Sequence, residues 1–149
     1  MGGYGALRNG IKYPDTFSVI ASFSGAIYKN ALPFEEDSGS PFFLTTRYAK
    51  SIFKDQDYYD SHGNQLFKAI EKVENPSDLK IFMTCGTEDW LLDKSREFSR
   101  FLFEKDVPVI YKEKSGGHEW DFWDWSIKKF LDWWIPEDAD QGVSSGNVK

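Results

Sequence analysis

Apolar residues in this chain follow two patterns, stripes that recur every three or four positions and short unbroken runs. The first stripe lies in MGGYGALRNGIKYPDTF, where Leu7 and Ile11 sit one turn apart and predict a short helix. Tyr13-Pro14-Asp15 ends it, because proline disfavours helical geometry in the residue before it. FSVIASFSG (17–25) is an apolar run that suits a buried strand closing in a glycine turn. Residues 29–63 read as irregular and polar, with only a weak helical pattern over about 42–54. In NQLFKAIEKVENP the stripe returns: Leu66, Ile70 and Val73 form one face, and Asn75-Pro76 stops the helix.

LKIFMTCG (79–86) predicts a second buried strand and VPVIYK (107–112) a third. Between them, residues 91–105 carry Leu91, Phe98 and Leu102 on one helical stripe. The last helix has the clearest pattern, placing Trp120, Trp123, Ile127, Phe130, Leu131 and Trp134 on a shared face. Beyond it, EDADQGVSSGNVK has almost nothing to bury, so residues 136–149 read as a disordered tail. Strands alternating with helices predict a parallel sheet covered by helices. Three strands make a small sheet for that architecture, which predicts that they belong to a larger one.

Composition adds limits. A net charge of −6 disfavours a nucleic-acid partner, since phosphate binding needs clustered Lys and Arg. No apolar run is long enough to cross a bilayer, which argues against a membrane role. The single cysteine allows no internal disulfide, and the expected location is cytoplasmic. One local oddity needs a cause. Gly2, Gly3 and Gly5 crowd the start of the first helix, although each costs about 1 kcal/mol against alanine there. Something must pass close to that end of the helix.

Open parallel sheets place their sites in the turns that follow strand carboxyl ends. Two turns qualify: CGTEDW, with Glu88 and Asp89, and SGGHEWDFW, with His118. An acid beside an imidazole is the orienting half of a nucleophilic triad, because the carboxylate fixes the tautomer and stabilises the imidazolium. The same residue types also suit a surface carboxylate and a turn histidine. His62, in DSHGNQ, reads as a solvated loop residue, and Cys85 as a small side chain packed at a strand end. The carboxylates of EEDSGS read as a solvated turn, and no His/Cys spacing resembles a zinc motif.

Four stretches in order, MGGYGAL, ASFSGA, CGTED and GGHEWDFW, resemble the esterase family of α/β-hydrolases. That family includes esterase D, S-formylglutathione hydrolase and bacterial tributyrin and feruloyl esterases, and the resemblance spans about residues 1–135. Its first motif is G-x-S-M-G-G-x-G-A-L, with the serine on a strained elbow whose glycines let neighbouring backbone pass close. By this resemblance Met1 directly follows the nucleophilic serine, and Gly2 and Gly3 are the elbow glycines. Asp89 takes the place of the triad acid, His118 of the base, and the backbone N–H of Met1 of one oxyanion-hole donor.

The nucleophile itself is absent from the chain, as are the strand that carries it and the second oxyanion donor. Ser24 and Ser115 lie near turns but on no such elbow. The implied fold is the carboxyl-terminal part of an α/β-hydrolase, with about three parallel strands, flanking helices and a helical insert over about 29–75. The expected chain is truncated just after the serine. The implied chemistry is hydrolysis of short-chain or aromatic acyl esters through an acyl-serine intermediate, with small-molecule esters as substrates and no metal or cofactor. The chain alone is expected to be inactive. The alternative is a non-catalytic domain that uses an exposed sheet edge to bind a partner or a second copy.

Overall fold

The computed structural model describes residues 1–29 and 46–135. The EEDSGSP turn, the start of the helix expected from about residue 42, and the tail 136–149 lie outside them. In order, the elements are α1 (Gly2–Lys12), β1 (Ile20–Phe23), α2 (Thr46–Phe53), α3 (Gln56–Ser61), α4 (Leu66–Ile70), β2 (Ile81–Gly86), α5 (Leu92–Glu104), β3 (Val109–Lys114) and α6 (Trp120–Trp134). The strands form one parallel sheet in the order β1-β2-β3. All six residues of β2 are buried, as expected for a central strand covered on both faces.

Successive side chains on a strand point to opposite faces, and β2 shows the division. Ile81 and Met83 join Tyr4, Leu7, Ile11, Leu66, Phe67, Phe98 and Leu102 in the main core. Phe82 packs on the other side, against Phe130 and Trp133 of α6, with ring centroids 5.7 and 5.5 Å away. Thr84 follows it there, donating from Oγ1 to Ser126 Oγ at 2.9 Å, and Ser126 in turn donates to the Phe122 carbonyl.

That contact corrects the expected face of α6. The sheet-facing residues are Phe122, Ser126, Phe130 and Trp133, while Trp120, Ile127, Leu131 and Trp134 are exposed. The helix carries two apolar stripes. Ser126 is fully buried with its hydroxyl satisfied by Thr84 and the Phe122 carbonyl, so the stripe containing a serine can be the buried one.

The strand and helix bounds also move. β1 begins at Ile20, leaving Phe17 nearly half exposed, at 46%. β3 begins two residues later than predicted, because the Val107 amide bonds back to Leu102 of α5 and Pro108 has no N–H to give the ladder. The Pro108 carbonyl still accepts from Ile81, at 3.1 Å. α4 stops at Ile70, where bonds from Lys72 to Ala69 and from Val73 to Ile70 tighten the chain into turns. Val73 still packs against the core. In the segment before α4, α2 falls within the weak helical pattern read over about 42–54, whereas α3 forms where the sequence reads as irregular.

The glycine-rich start of α1 is explained in part. A Cβ on Gly3 would lie 2.8 Å from Ser22 Oγ and 2.9 Å from Gly25 Cα, so the turn after β1 is what passes close to it. Gly10 makes the same allowance for the Ile20 side chain, one strand end away. Gly2 and Gly5 face no such neighbour among the described residues. No helix among those residues is long and apolar enough to cross a membrane.

Candidate active site

Parallel pairing of β2 with β3 sets Gly86 opposite Lys114, so the loops after the two strands start side by side. Backbone bonds join them further, from Thr87 N–H to the Lys114 carbonyl at 3.0 Å and from Glu88 N–H to the Gly116 carbonyl at 3.1 Å. A side chain on Gly86 would run into the Gly116 carbonyl, so only glycine permits this approach. Gly116 itself has φ 144°, a conformation that L residues with side chains rarely adopt. The sequence GTED…SGGH thus brings two loops together that are 29 residues apart.

Asp89 lies buried at this junction. Its Oδ1 accepts from the Leu91 amide at 2.9 Å, and its Oδ2 lies 2.9 Å from His118 Nδ1. The Asp89 side chain is fully covered, whereas His118 keeps 24% of its side chain exposed. A carboxylate acceptor at Nδ1 favours the tautomer with its proton there, leaving the Nε2 lone pair to accept a proton. Trp90 packs on the imidazole at 4.6 Å and Trp123 meets it edge-on at 4.9 Å. From the sequence Trp123 reads only as part of the apolar face of the last helix, and Trp90 carries no assigned role. Their signal was position, directly beside the acid in EDW and five residues past the base in HEWDFW.

Glu88, next to Asp89, points away from the imidazole. Its carboxylate accepts from the Gly116 amide, from Ser115 Oγ at 3.2 Å and from Thr87 Oγ1 at 2.9 Å. Led by the Gly116 amide, these donors hold the Glu88 carboxyl below the usual glutamate range.

The other candidates lie elsewhere. Met1 is the exposed residue before α1, and its carbonyl accepts from the Gly5 amide at 2.9 Å. Ser24 is buried just past β1, with φ 48°. Cys85 is buried on β2, and burial pushes its thiol up to about 11, so it is protonated at neutral pH. His62 sits exposed at the end of α3, stacked on Tyr58 and 2.7 Å from Ser61 Oγ. Among the described residues no group of three or more His, Cys, Asp or Glu is placed to hold a metal ion.

The family model described as "Putative esterase" matches residues 1–133. An acetyl esterase of Caldicellulosiruptor saccharolyticus is 33% identical over 135 residues, which cover 89% of this chain and 51% of that protein. The fluorophosphonate-binding serine hydrolase F of Staphylococcus aureus superposes with a TM-score of 0.69 at 20% identity, over 89% of this chain and 50% of that one. A ferulic acid esterase superposes with a TM-score of 0.64 at 22% identity, over 88% and 47% of the two chains. An S-formylglutathione hydrolase of Staphylococcus aureus gives a TM-score of 0.61 at 24% identity, over 89% and 50%. The chain spans about half the length of the acetyl esterase that it matches. These three strands are therefore part of an α/β-hydrolase fold, and the chain belongs to the esterase family.

Proposed function

We propose that this chain is the carboxyl-terminal part of a serine carboxylesterase, with His118 as the general base and acid and Asp89 as the residue that orients it. The observation that carries the reading is the 2.9 Å contact between His118 Nδ1 and a buried Asp89 oxygen whose partner oxygen is already held by a backbone amide. In the family's chemistry a serine attacks the ester carbonyl while the histidine takes its proton, then returns it to the leaving alcohol. Water attacks the acyl-serine in the second step by the same proton route. His118 supplies that route. Asp89 stabilises the imidazolium formed at each step.

By the family resemblance the nucleophilic serine is the residue that directly precedes Met1, and the backbone N–H of Met1 is one oxyanion-hole donor. Short-chain acyl esters are the favoured substrates, on the likeness to an acetyl esterase, and aromatic acyl esters fit the rings around His118.

The test is a chimera in which the amino-terminal half of the acetyl esterase, ending in Gly-x-Ser, precedes Met1. It should hydrolyse p-nitrophenyl acetate where the 149-residue chain does not. His118→Ala should abolish that turnover, and Asp89→Asn should lower it by roughly 10³–10⁴. A chimera indifferent to His118→Ala removes the assignment. Turnover by the bare chain that disappears with His118→Ala would place a nucleophile within these residues.

A second reading, a non-catalytic domain that binds through its sheet edge, is favoured by one observation. Among the described residues β1 pairs only with β2, and its other edge carries no partner strand.

A further inference from the structure

We propose that Glu88 is a positioning residue, tying the loop of His118 to the loop of Asp89 and so setting the imidazole on its acid. The inference rests on the acid–base pair proposed above. Ser115-Gly116-Gly117 offers two successive glycines, which lose more conformational freedom on ordering than any other residue. Left to itself, such a segment would let His118 swing, and a misplaced imidazole is a costly fault in a proton relay.

The Glu88 carboxylate bridges that segment. One oxygen accepts the Gly116 amide, and the other accepts the hydroxyls of Ser115, at 3.2 Å, and Thr87, at 2.9 Å. Its own amide donates to the Gly116 carbonyl, so Gly116 is held by both its N–H and its C=O. Gly116 is two residues before His118, and Glu88 is adjacent to Asp89. One residue therefore fixes both members of the pair through the backbone, without touching the imidazole. Glu119 completes the hold by accepting the Gly117 amide at 2.9 Å. A charged acceptor on a backbone amide makes a stronger bond than a neutral one, which favours glutamate at this place.

The test uses the 149-residue chain labelled with ¹⁵N, reading the His118 ring tautomer and the Gly116 amide exchange rate. Glu88→Ala should speed Gly116 exchange by about tenfold or more and turn the single Nδ1–H tautomer into a mixture. Glu88→Gln keeps an acceptor oxygen and should restore most of the wild-type tautomer. A residue that only stabilised the fold would shift the melt and leave the tautomer alone. An unchanged tautomer in folded Glu88→Ala overturns the proposal. If Glu88→Ala leaves no native signal, Glu88→Gln decides, because its neutral acceptor holds the Gly116 amide less strongly: faster Gly116 exchange than in the wild type supports the tether, and unchanged exchange in a folded protein overturns it. Asp89→Asn separates the two levels. It should lose the Nδ1–H tautomer, and its failure to do so would refute the acid–base pair itself, whatever Glu88 does.

Discussion

At one edge of the sheet β3 carries Lys112, Glu113 and Lys114, whereas at the other β1 offers Ile20, Ala21, Ser22 and Phe23 without a charge. Glu113 is gripped by Arg96 of α5 through two bonds of 2.8 and 2.7 Å, so the last strand is fastened to its covering helix. Charged side chains on an outer strand resist pairing with other chains. β3 is built to end a sheet. β1 has the composition of an interior strand, in a chain that spans about half the length of the acetyl esterase it matches. Among the described strands the difference gives the sheet a direction, charged at β3 and apolar at β1.

The largest expected effect breaks the seam between the edges. Phe82→Ala empties the site where β2 meets Phe130 and Trp133, and should cost about 3–5 kcal/mol in denaturant unfolding. Ile127→Ala, on the outward stripe of the same helix, should cost no more than about 0.5 kcal/mol. Equal losses would mean that the outward stripe is covered in solution.

A second experiment addresses the open edge. The wild-type chain should associate as concentration rises in light scattering, and Ala21→Lys, a charge placed on β1, should reduce that association. A wild type that stays monomeric removes the open-edge account.

The smallest effect belongs to the finished edge. Glu113→Gln weakens a partly exposed ion pair and should cost under about 1 kcal/mol at neutral pH. The Arg96 guanidinium holds the Glu113 carboxyl below the ordinary glutamate range. A pKa lowered by folding contributes stability that is complete above the unfolded value and is lost as pH falls through the folded one. Wild type and Glu113→Gln should therefore converge in acid, as thermal melts across that pH range would reveal.

The alternation of elements was legible because apolar runs such as IFMTC have one simple way to be buried, as a strand covered on both faces. The Asp89–His118 pair was legible for a related reason, since parallel neighbours must bring the loops after their ends together. What stayed hidden depends on choices between near equals. α6 has two apolar stripes, and a single serine decided which one faces the sheet. The start of β3 turned on one missing amide at Pro108. Glu88 was read only as the carboxylate beside the acid, because its partners are a backbone N–H and a serine 27 residues away, which no local pattern announces.

The register that pairs Ile20 with Ile81 also sets a timetable for synthesis. At roughly 5–20 residues per second, β1 leaves the ribosome several seconds before β2 exists to receive it. During that interval its short, uncharged apolar segment has no strand of its own among these elements to lie against. Doubling a loop adds only about 0.6 kcal/mol to its closure, so the delay costs little at equilibrium. It costs time: until β2 emerges, none of the described strands is present to cover that edge of β1.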